Sequence, residues 1–224
     1  WLRGLGGRHA DFWTVTSDAL SFAFEALKIE DPELHRRLMT LYLSLDVYPD
    51  VIDALERLRA GGKRLAILSN GTPQMLAAAT AHSGIADLLD AALSVEEVGV
   101  FKPHPSVYQL ASDRLQLAPD QICFLSSNGW DAYAAKAFGF HAIWCNRFNQ
   151  SPERIPEPPD GEIVTLAELP EPPWPLQEHA DHLRVPAPPD DLRRPLEVLA
   201  DPAPRLDDLG LVVTGQRLEP VDRR

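Results

Sequence analysis

The chain has 224 residues, of which 45% are hydrophobic, and it carries a formal net charge of -12 at pH 7. That length suits one or two domains with a sizeable core. The acidic balance argues against nucleic acid as a partner, because neutralising phosphates requires basic patches. No apolar stretch approaches the roughly 18 uncharged residues that a membrane-spanning helix needs, so no membrane partner is expected.

The chain opens on Trp1 rather than Met. We therefore expect it to be a fragment or a wrongly started reading frame, and the absence of a signal peptide does not decide its targeting. Cys123 and Cys145 each lie in an apolar, strand-like run. Buried free thiols in a reducing cytosol are the default interpretation and a disulfide is the alternative. Free thiols predict a cytoplasmic protein. Neither cysteine has His or Cys neighbours at metal-ligand spacing, so we predict no metal site.

Residues 1–46 are predicted to be wholly helical. Between residues 9 and 29, apolar side chains recur along one face at helical spacing, which predicts the first long helix. A second helix is predicted over residues 32–45, with Asp31 as its N-cap and Pro32 in its first turn.

Residues 47–174 alternate helix and strand. The predicted helices are 49–60, 73–82, 104–117 and 131–139, and the predicted strands are 64–68, 91–94, 121–125, 141–144 and a short 163–166. Repeated units of this length predict an α/β fold, with a doubly wound, mostly parallel, Rossmann-like sheet covered by helices on both faces.

Fifteen of the 21 prolines follow Gln150, and residues 175–224 are predicted to be a disordered, proline-rich extension. The apolar run at residues 209–213 is the part of this extension that could pair as a strand.

Polar side chains follow the buried strand that ends near Leu125, where open α/β sheets place their chemistry. They are Ser126, Ser127, Asn128, Trp130 and Asp131. The alternative is an ordinary helix start, with Asp131 in the first turn stabilised by the helix dipole.

Two further strand ends carry candidate groups. Ser69 and Asn70 end an apolar strand, and Gly71 follows them. This segment forms either a binding site for an anion or an ordinary turn. Lys102 follows Val100 and Phe101, so it is either a solvated surface lysine or a partly buried one that needs a carboxylate such as Asp131. The phenol of Tyr108 either faces the same cleft or packs in the core. Phe12 is similarly either helix core or a substrate wall.

At this point a resemblance becomes specific. The segments at residues 68–71, 101–103 with Tyr108, and 126–131 resemble the second, third and fourth motifs of the haloacid dehalogenase superfamily. The last segment is similar to that of the type II L-2-haloacid dehalogenases. The resemblance covers about residues 1–170 and makes residues 1–46 a helical cap subdomain on the α/β core.

The resemblance implies hydrolysis of L-2-haloacids to 2-hydroxy acids through an aspartyl ester, without a cofactor. Ser69 and Asn70 would hold the substrate carboxylate, Lys102 would balance negative charge, and Asp131 would position or activate water. Three residues would order the site, namely Tyr108, Ser126 and Asn128. Phe12 and Trp130 would line the apolar pocket. For the full-length protein, we expect Lys102→Ala to abolish chloride release from 2-chloropropionate while leaving the fold intact.

The family's nucleophile motif, a strand ending in Asp-x-x-Gly-Thr, does not occur in this chain. The resemblance places it upstream of Trp1, in the middle of the sheet, and we predict that the run at residues 209–213 fills the gap. We expect this chain to be inactive as it stands. A phosphatase of the same superfamily and a non-catalytic remnant remain alternatives. Ser127, standing where Mg²⁺-dependent members carry Asp, disfavours the phosphatase. A homodimer is expected from the family only.

Overall fold

The computed structural model describes residues 2–169 and 210–214. Its helices are α1 (Leu2–Leu5), α2 (Phe12–Leu27), α3 (Pro32–Leu41), α4 (Val51–Ala60), α5 (Pro73–His82), α6 (Pro105–Leu115) and α7 (Gly129–Phe138). Its strands are β1 (Leu65–Ser69), β2 (Ala91–Ser94), β3 (Ile122–Ser126), β4 (His141–Cys145), β5 (Gly161–Ile163) and β6 (Leu211–Thr214). In this part of the chain, no helix is both long and apolar enough to cross a bilayer.

The strands form one sheet in the order β2-β1-β6-β3-β4-β5. Neighbours β1 and β2, β3 and β4, and β4 and β5 run parallel. Strand β6 runs antiparallel to both of its neighbours, β1 and β3. The predicted mostly parallel α/β fold is therefore confirmed.

Alternate residues of each strand supply two apolar clusters, one on each face of the sheet. Leu65 and Ile67 pack with α4 and α5 on one face. Ala66 and Leu68 pack with α6 and α7 on the other. All five residues of β1 are buried, as are all five of β3, which is the pattern of strands covered on both faces.

Capping side chains set the ends of the N-terminal helices. The carboxylate of Asp11 accepts from the backbone N–H of Thr14 at 2.8 Å and begins α2. The carboxylate of Asp31 accepts from the backbone N–H of Leu34 at 2.8 Å, and Pro32 stands in the first turn of α3. Both features of α3 were predicted and are confirmed. The cap and core boundary at residues 46 and 47 stays a prediction.

Several predicted boundaries are wrong by a few residues. The long helix predicted over residues 9–29 is α2, which spans Phe12–Leu27. Helix α3 ends at Leu41 rather than at residue 45. Helix α6 ends at Leu115 because Gln116 adopts a left-handed backbone, with φ of 57°. The short strand predicted at 163–166 is instead β5 at Gly161–Ile163, and Thr165 caps a 3-10 helix that follows it.

The predicted pairing of the run at residues 209–213 is confirmed, since β6 fills the space between β1 and β3. Residues 211–214 are therefore a central strand, in contrast to the disorder predicted for the extension that contains them. Strand pairing on both sides and burial of Val212 and Val213 explain the order of these four residues. Apart from Gly210, which precedes β6, the other residues of the extension lie outside the described part of the chain.

Candidate active site

Three buried serines end three strands at one edge of the sheet. Ser69, Ser94 and Ser126 are the last residues of β1, β2 and β3. Strand β1 is parallel to β2, and β1 and β3 are both antiparallel to β6, so the three carboxyl ends point the same way. This edge is where open α/β sheets bind ligands.

The carboxylate of Asp131 is the centre of this edge. It lies in the first turn of α7 and is 1% exposed. Its Oδ2 accepts from the ammonium of Lys102 at 2.9 Å and from the hydroxyl of Ser126 at 3.0 Å. Its Oδ1 accepts from the hydroxyl of Tyr108 at 2.7 Å. Three donors and the positive end of a helix dipole thus stabilise one buried negative charge.

The Lys102 ammonium is buried with Asp131 rather than solvated. It is 2% exposed, and its Nζ lies 4.9 Å from the centre of the Phe124 ring. Burial lowers the pKa of Lys102, and the charge of Asp131 offsets part of that shift. Burial and the same carboxylate raise the pKa of Tyr108 far above its usual value, so its hydroxyl stays a neutral donor.

The turn after β1 is tied to the loop that carries Lys102. The backbone N–H of Lys102 donates to Oδ1 of Asn70 at 3.0 Å. The hydroxyl of Ser69 accepts from the backbone N–H of Gly71 at 3.0 Å. On the other side of the turn, the hydroxyl of Ser94 donates to the Gly71 carbonyl at 2.7 Å. Asn70 thereby positions Lys102 directly, and Ser94 holds the turn in place.

The remaining sequence-predicted residues surround this group. Asn128 directly precedes α7, and its backbone N–H donates to the hydroxyl of Ser126 at 3.2 Å. Trp130 is the second residue of α7 and is half-buried. Phe12 begins α2, and its ring meets the ring of Phe101 edge to face at 6.3 Å. Since Phe101 precedes Lys102, Phe12 lies next to the candidate site.

The structure thus brings Ser69, Lys102 and Asp131 to one edge of the sheet, as the sequence predicts. Two residues were not predicted as site residues, namely Ser94, which bonds to the turn at Gly71, and Gly210, which lies against Lys102. Ser94 carries a signal that could have found it, because it ends its strand with a small hydroxyl as Ser69 and Ser126 do. The signal for Gly210 was its place in the run at residues 209–213, since the predicted pairing of that run is what brings Gly210 to the site.

Among residues 2–169 and 210–214, Asp131 is the one buried carboxylate. Within the same residues, no three or more His, Cys, Asp or Glu side chains gather closely enough to hold a metal ion. Cys123 and Cys145 are both buried thiols and form no disulfide, as predicted. Burial raises the pKa of the Cys123 thiol, so it is not a thiolate nucleophile.

The molecule is an α/β protein with a mostly parallel sheet, and its buried cation, carboxylate and hydroxyls lie at the carboxyl edge, where proteins of this class place their binding sites. A family model described as haloacid dehalogenase-like hydrolase matches residues 3–139. The chain belongs to that family.

Characterised relatives are similar over about three quarters of the chain. The chain is 43% identical over 172 residues to (S)-2-haloacid dehalogenase 1 of Pseudomonas sp. (strain CBS-3), covering 76% of each. It is 42% identical over 177 residues to (S)-2-haloacid dehalogenase 4A of Burkholderia cepacia, covering 79% of this chain and 75% of the relative. The structure resembles that of L-2-haloacid dehalogenase from Xanthobacter autotrophicus with a TM-score of 0.70 and 37% identity, over 75% of this chain and 78% of the other.

Proposed function

We propose that this protein hydrolyses L-2-haloacids to 2-hydroxy acids through an aspartyl ester. The observation that carries the proposal is the buried Lys102–Asp131 pair beside the turn at Ser69 and Asn70. The relatives named above, which are (S)-2-haloacid dehalogenases, support the choice of substrate.

The geometry suits a substrate that carries its own negative charge. A 2-haloacid brings a carboxylate, for which the turn at Ser69 and Asn70 offers hydrogen-bond donors. The Lys102 ammonium compensates the charge that accumulates when this carboxylate and an attacking carboxylate meet. Phe12 and Trp130 supply apolar surface for the carbon and its halogen.

The reaction has two steps. An oxygen of an attacking carboxylate bonds to carbon 2 from the side opposite the halogen, and the carbon–halogen bond breaks with its electron pair leaving on the halide. Water then attacks the ester carbonyl, which returns the carboxylate and releases a 2-hydroxy acid of inverted configuration and a proton. Asp131 orders that water in this proposal.

Asp131 itself is a poor candidate for the attacking group. Three donors engage its two oxygens, and it is the one buried carboxylate in the described part of the chain. A carboxylate held by an ammonium and two hydroxyls has little lone-pair density left for attack. We therefore propose that the nucleophile comes from outside the described residues, and the family resemblance implies a position upstream of Trp1.

Chloride release from the two enantiomers of 2-chloropropionate tests the proposal. In the chain extended upstream, we expect release from the L enantiomer, and about a hundredfold less in Asn70→Ala, which removes the contact to Lys102 and a substrate donor. Gln109→Ala, which removes an exposed amide from α6, is the matched control and should keep full activity. The assay is run on residues 1–224 and on the same chain extended by the upstream in-frame codons.

Activity only in the extended chain would locate the nucleophile upstream of Trp1. Phosphate release that depends on Mg²⁺ would favour the phosphatase alternative instead. Failure of both chains to release chloride from either enantiomer would reject the proposal and favour a non-catalytic protein. The observation that favours a non-catalytic protein is that the described residues contain no second buried carboxylate.

A further inference from the structure

We propose that His9 is a positioning residue of the candidate site, because it holds Phe12 against Phe101 and so fixes the apolar wall that the substrate meets. The part of this inference that concerns the substrate rests on the proposed function. The part that concerns the position of Phe12 does not, because it follows from contacts alone.

His9 joins the segment before α2 to the core of the protein. Its Nε2 lies 3.2 and 3.1 Å from the two carboxylate oxygens of Glu96, which is 87 positions further along the chain. A carboxylate only accepts hydrogen bonds, so Nε2 carries the hydrogen and donates it. The side chains of His9 and Glu96 are 21% and 24% exposed, so this hydrogen bond is largely shielded from water.

The ring of His9 also packs beside the lysine of the candidate site. Its centre lies 4.9 Å from the centre of the Phe101 ring, and Phe101 directly precedes Lys102. Phe12 meets the same Phe101 ring edge to face at 6.3 Å. His9 and Phe12 therefore share one aromatic neighbour, and the place of one constrains the place of the other.

Glu96 is itself fixed to the candidate site. It lies in the 3-10 helix Val95–Glu97, which follows β2. The hydroxyl of Ser94 accepts from the backbone N–H of Glu96 at 3.2 Å and donates to the Gly71 carbonyl at 2.7 Å. The hydrogen bond from His9 therefore ends on an element that is tied to the turn after β1.

A short, capped piece of backbone connects His9 to Phe12. The carboxylate of Asp11 accepts from the backbone N–H of Thr14 at 2.8 Å and from the Thr14 hydroxyl at 3.0 Å, which fixes the start of α2. Phe12 is the first residue of that helix. Because only three positions separate the two residues, a shift of His9 relative to Glu96 also moves Phe12.

Packing alone does not account for a histidine at this position. Nδ1 of His9 is buried and finds no hydrogen-bond partner among residues 2–169 and 210–214. A buried polar atom without a partner destabilises a fold, so a phenylalanine ring would fill the same space at a lower cost. What histidine adds is the donor at Nε2, and Glu96 accepts from it.

Kinetics of the upstream-extended chain with L-2-chloropropionate test the role toward the substrate. His9→Phe keeps a ring beside Phe101 but loses the donor, and Glu96→Ala loses the acceptor. In both we expect KM to rise about tenfold and kcat to change less than about twofold, because an apolar wall binds substrate and transition state alike. If the ring only fills space, His9→Phe will match wild type, and that result would overturn the proposal.

Two further variants make the comparison specific. Glu96→Gln retains an acceptor oxygen for His9 and should keep KM within about twofold of wild type. His35→Phe is the matched control, because His35 also makes one hydrogen bond, with Ser21 at 3.2 Å, and one edge-to-face ring contact, with Phe24 at 5.5 Å. Those contacts lie within α2 and α3, so KM should not change. A rise in His35→Phe equal to that in His9→Phe would reject a special role for His9.

Aromatic NMR of the chain as it stands tests the position of Phe12 without catalysis. With labelled phenylalanine, the edge-to-face rings should give a nuclear Overhauser cross-peak between Phe12 and Phe101, which Phe12→Leu identifies by removing it. We expect Glu96→Ala to lose this cross-peak and Glu96→Gln to keep it. Asp46→Ala is the control, because Asp46 pairs with His82 at 3.3 Å on the surface. An unchanged cross-peak in Glu96→Ala, or its loss in Asp46→Ala, would contradict the proposed contact.

The two measurements separate the role of His9 from the proposed function. If the extended chain releases no chloride, the role toward the substrate is rejected with the function, and the cross-peaks still decide whether His9 holds Phe12. If chloride is released and KM stays at the wild-type value in His9→Phe and Glu96→Ala, the function stands and the role of His9 is rejected.

Discussion

Two ion pairs at the carboxyl edge of the sheet differ in what surrounds them. Lys102 and Asp131 are 3% and 1% exposed at 2.9 Å, and their further partners are the hydroxyls of Tyr108 and Ser126. Arg147, which follows β4, and Asp50 are 9% and 18% exposed at 3.1 Å. Position at the edge of the sheet therefore does not by itself distinguish a reactive group from a structural one.

The pair of Arg147 and Asp50 has a structural role and is not part of the candidate active site. Oδ2 of Asp50 also accepts from the hydroxyl of Thr165 and the backbone N–H of Leu166, each at 2.6 Å. The guanidinium of Arg147 stacks on the ring of Tyr48 at 4.1 Å. These contacts join the start of α4 to the segment after β5.

The comparison shows that an ion pair sealed away from water is better evidence of a functional site than an ion pair that is only partly buried. Sealing an ammonium and a carboxylate away from water costs more than their attraction returns, unless further hydrogen bonds satisfy them. An apolar pair would stabilise the same position equally well. The chemistry proposed above explains why Lys102 and Asp131 are there, whereas the less deeply buried pair of Arg147 and Asp50 needs no such explanation.

The largest expected effect comes from breaking the buried pair. Lys102→Met should lower the free energy of unfolding by about 3–5 kcal/mol, because it leaves Asp131 buried without a counter-charge. The expectation that Lys102→Ala leaves the fold intact stays a prediction, and the same unfolding measurement tests it. Urea unfolding measures the effect. The double variant Lys102→Met with Asp131→Leu should regain most of the loss, and equal losses in the single and double variants would deny the coupling.

A smaller effect is expected at the second pair. Asp50→Asn should cost about 1–2 kcal/mol at pH 7, since hydrogen bonds to a charged group weaken. Burial raises the pKa of Asp50, but the hydrogen bonds from Thr165 and Leu166 and the charge of Arg147 outweigh it and bring the pKa below 3.8.

The pH dependence of this difference follows from that direction. The unfolded chain holds the proton of Asp50 more tightly than the folded one does. The contribution is therefore present above pH 3.8 and is lost as the pH falls through the lower folded-state pKa. Urea unfolding of wild type and Asp50→Asn should converge in that acidic range, and a constant difference down to pH 2 would contradict the assignment.

The smallest effect separates charge from stacking in the second pair. Arg147→Lys keeps the charge but loses the flat contact with the ring of Tyr48, so we expect a loss of about 0.5–1 kcal/mol in the free energy of unfolding. Arg3→Lys is the matched control, because Arg3 pairs with Asp18 on the surface and both are at least half-exposed. A loss of the same size in both would mean that the ring contributes nothing.

Local patterns in the sequence predicted much of the fold. Four apolar residues in a row predict β1 and β3 because central strands are buried on both faces, and both strands lie within one residue of where they were expected. Asp31 and Pro32 predict the start of α3 because capping depends on residues that are close in the chain. The ends of α3 and α6 were predicted less well, since one residue such as Gln116 ends a helix by its backbone conformation.

By itself, the sequence determined the alternation of helices and strands and placed polar residues after β1 and β3. Only the tertiary structure decided that Lys102 is buried against Asp131 and that Asn70 holds the backbone of Lys102. It also decided that Gly210, more than a hundred residues further along the chain than Lys102, contacts the same ammonium. The physical reason is that helix periodicity, capping and strand burial depend on near neighbours, whereas these contacts depend on which strands pair.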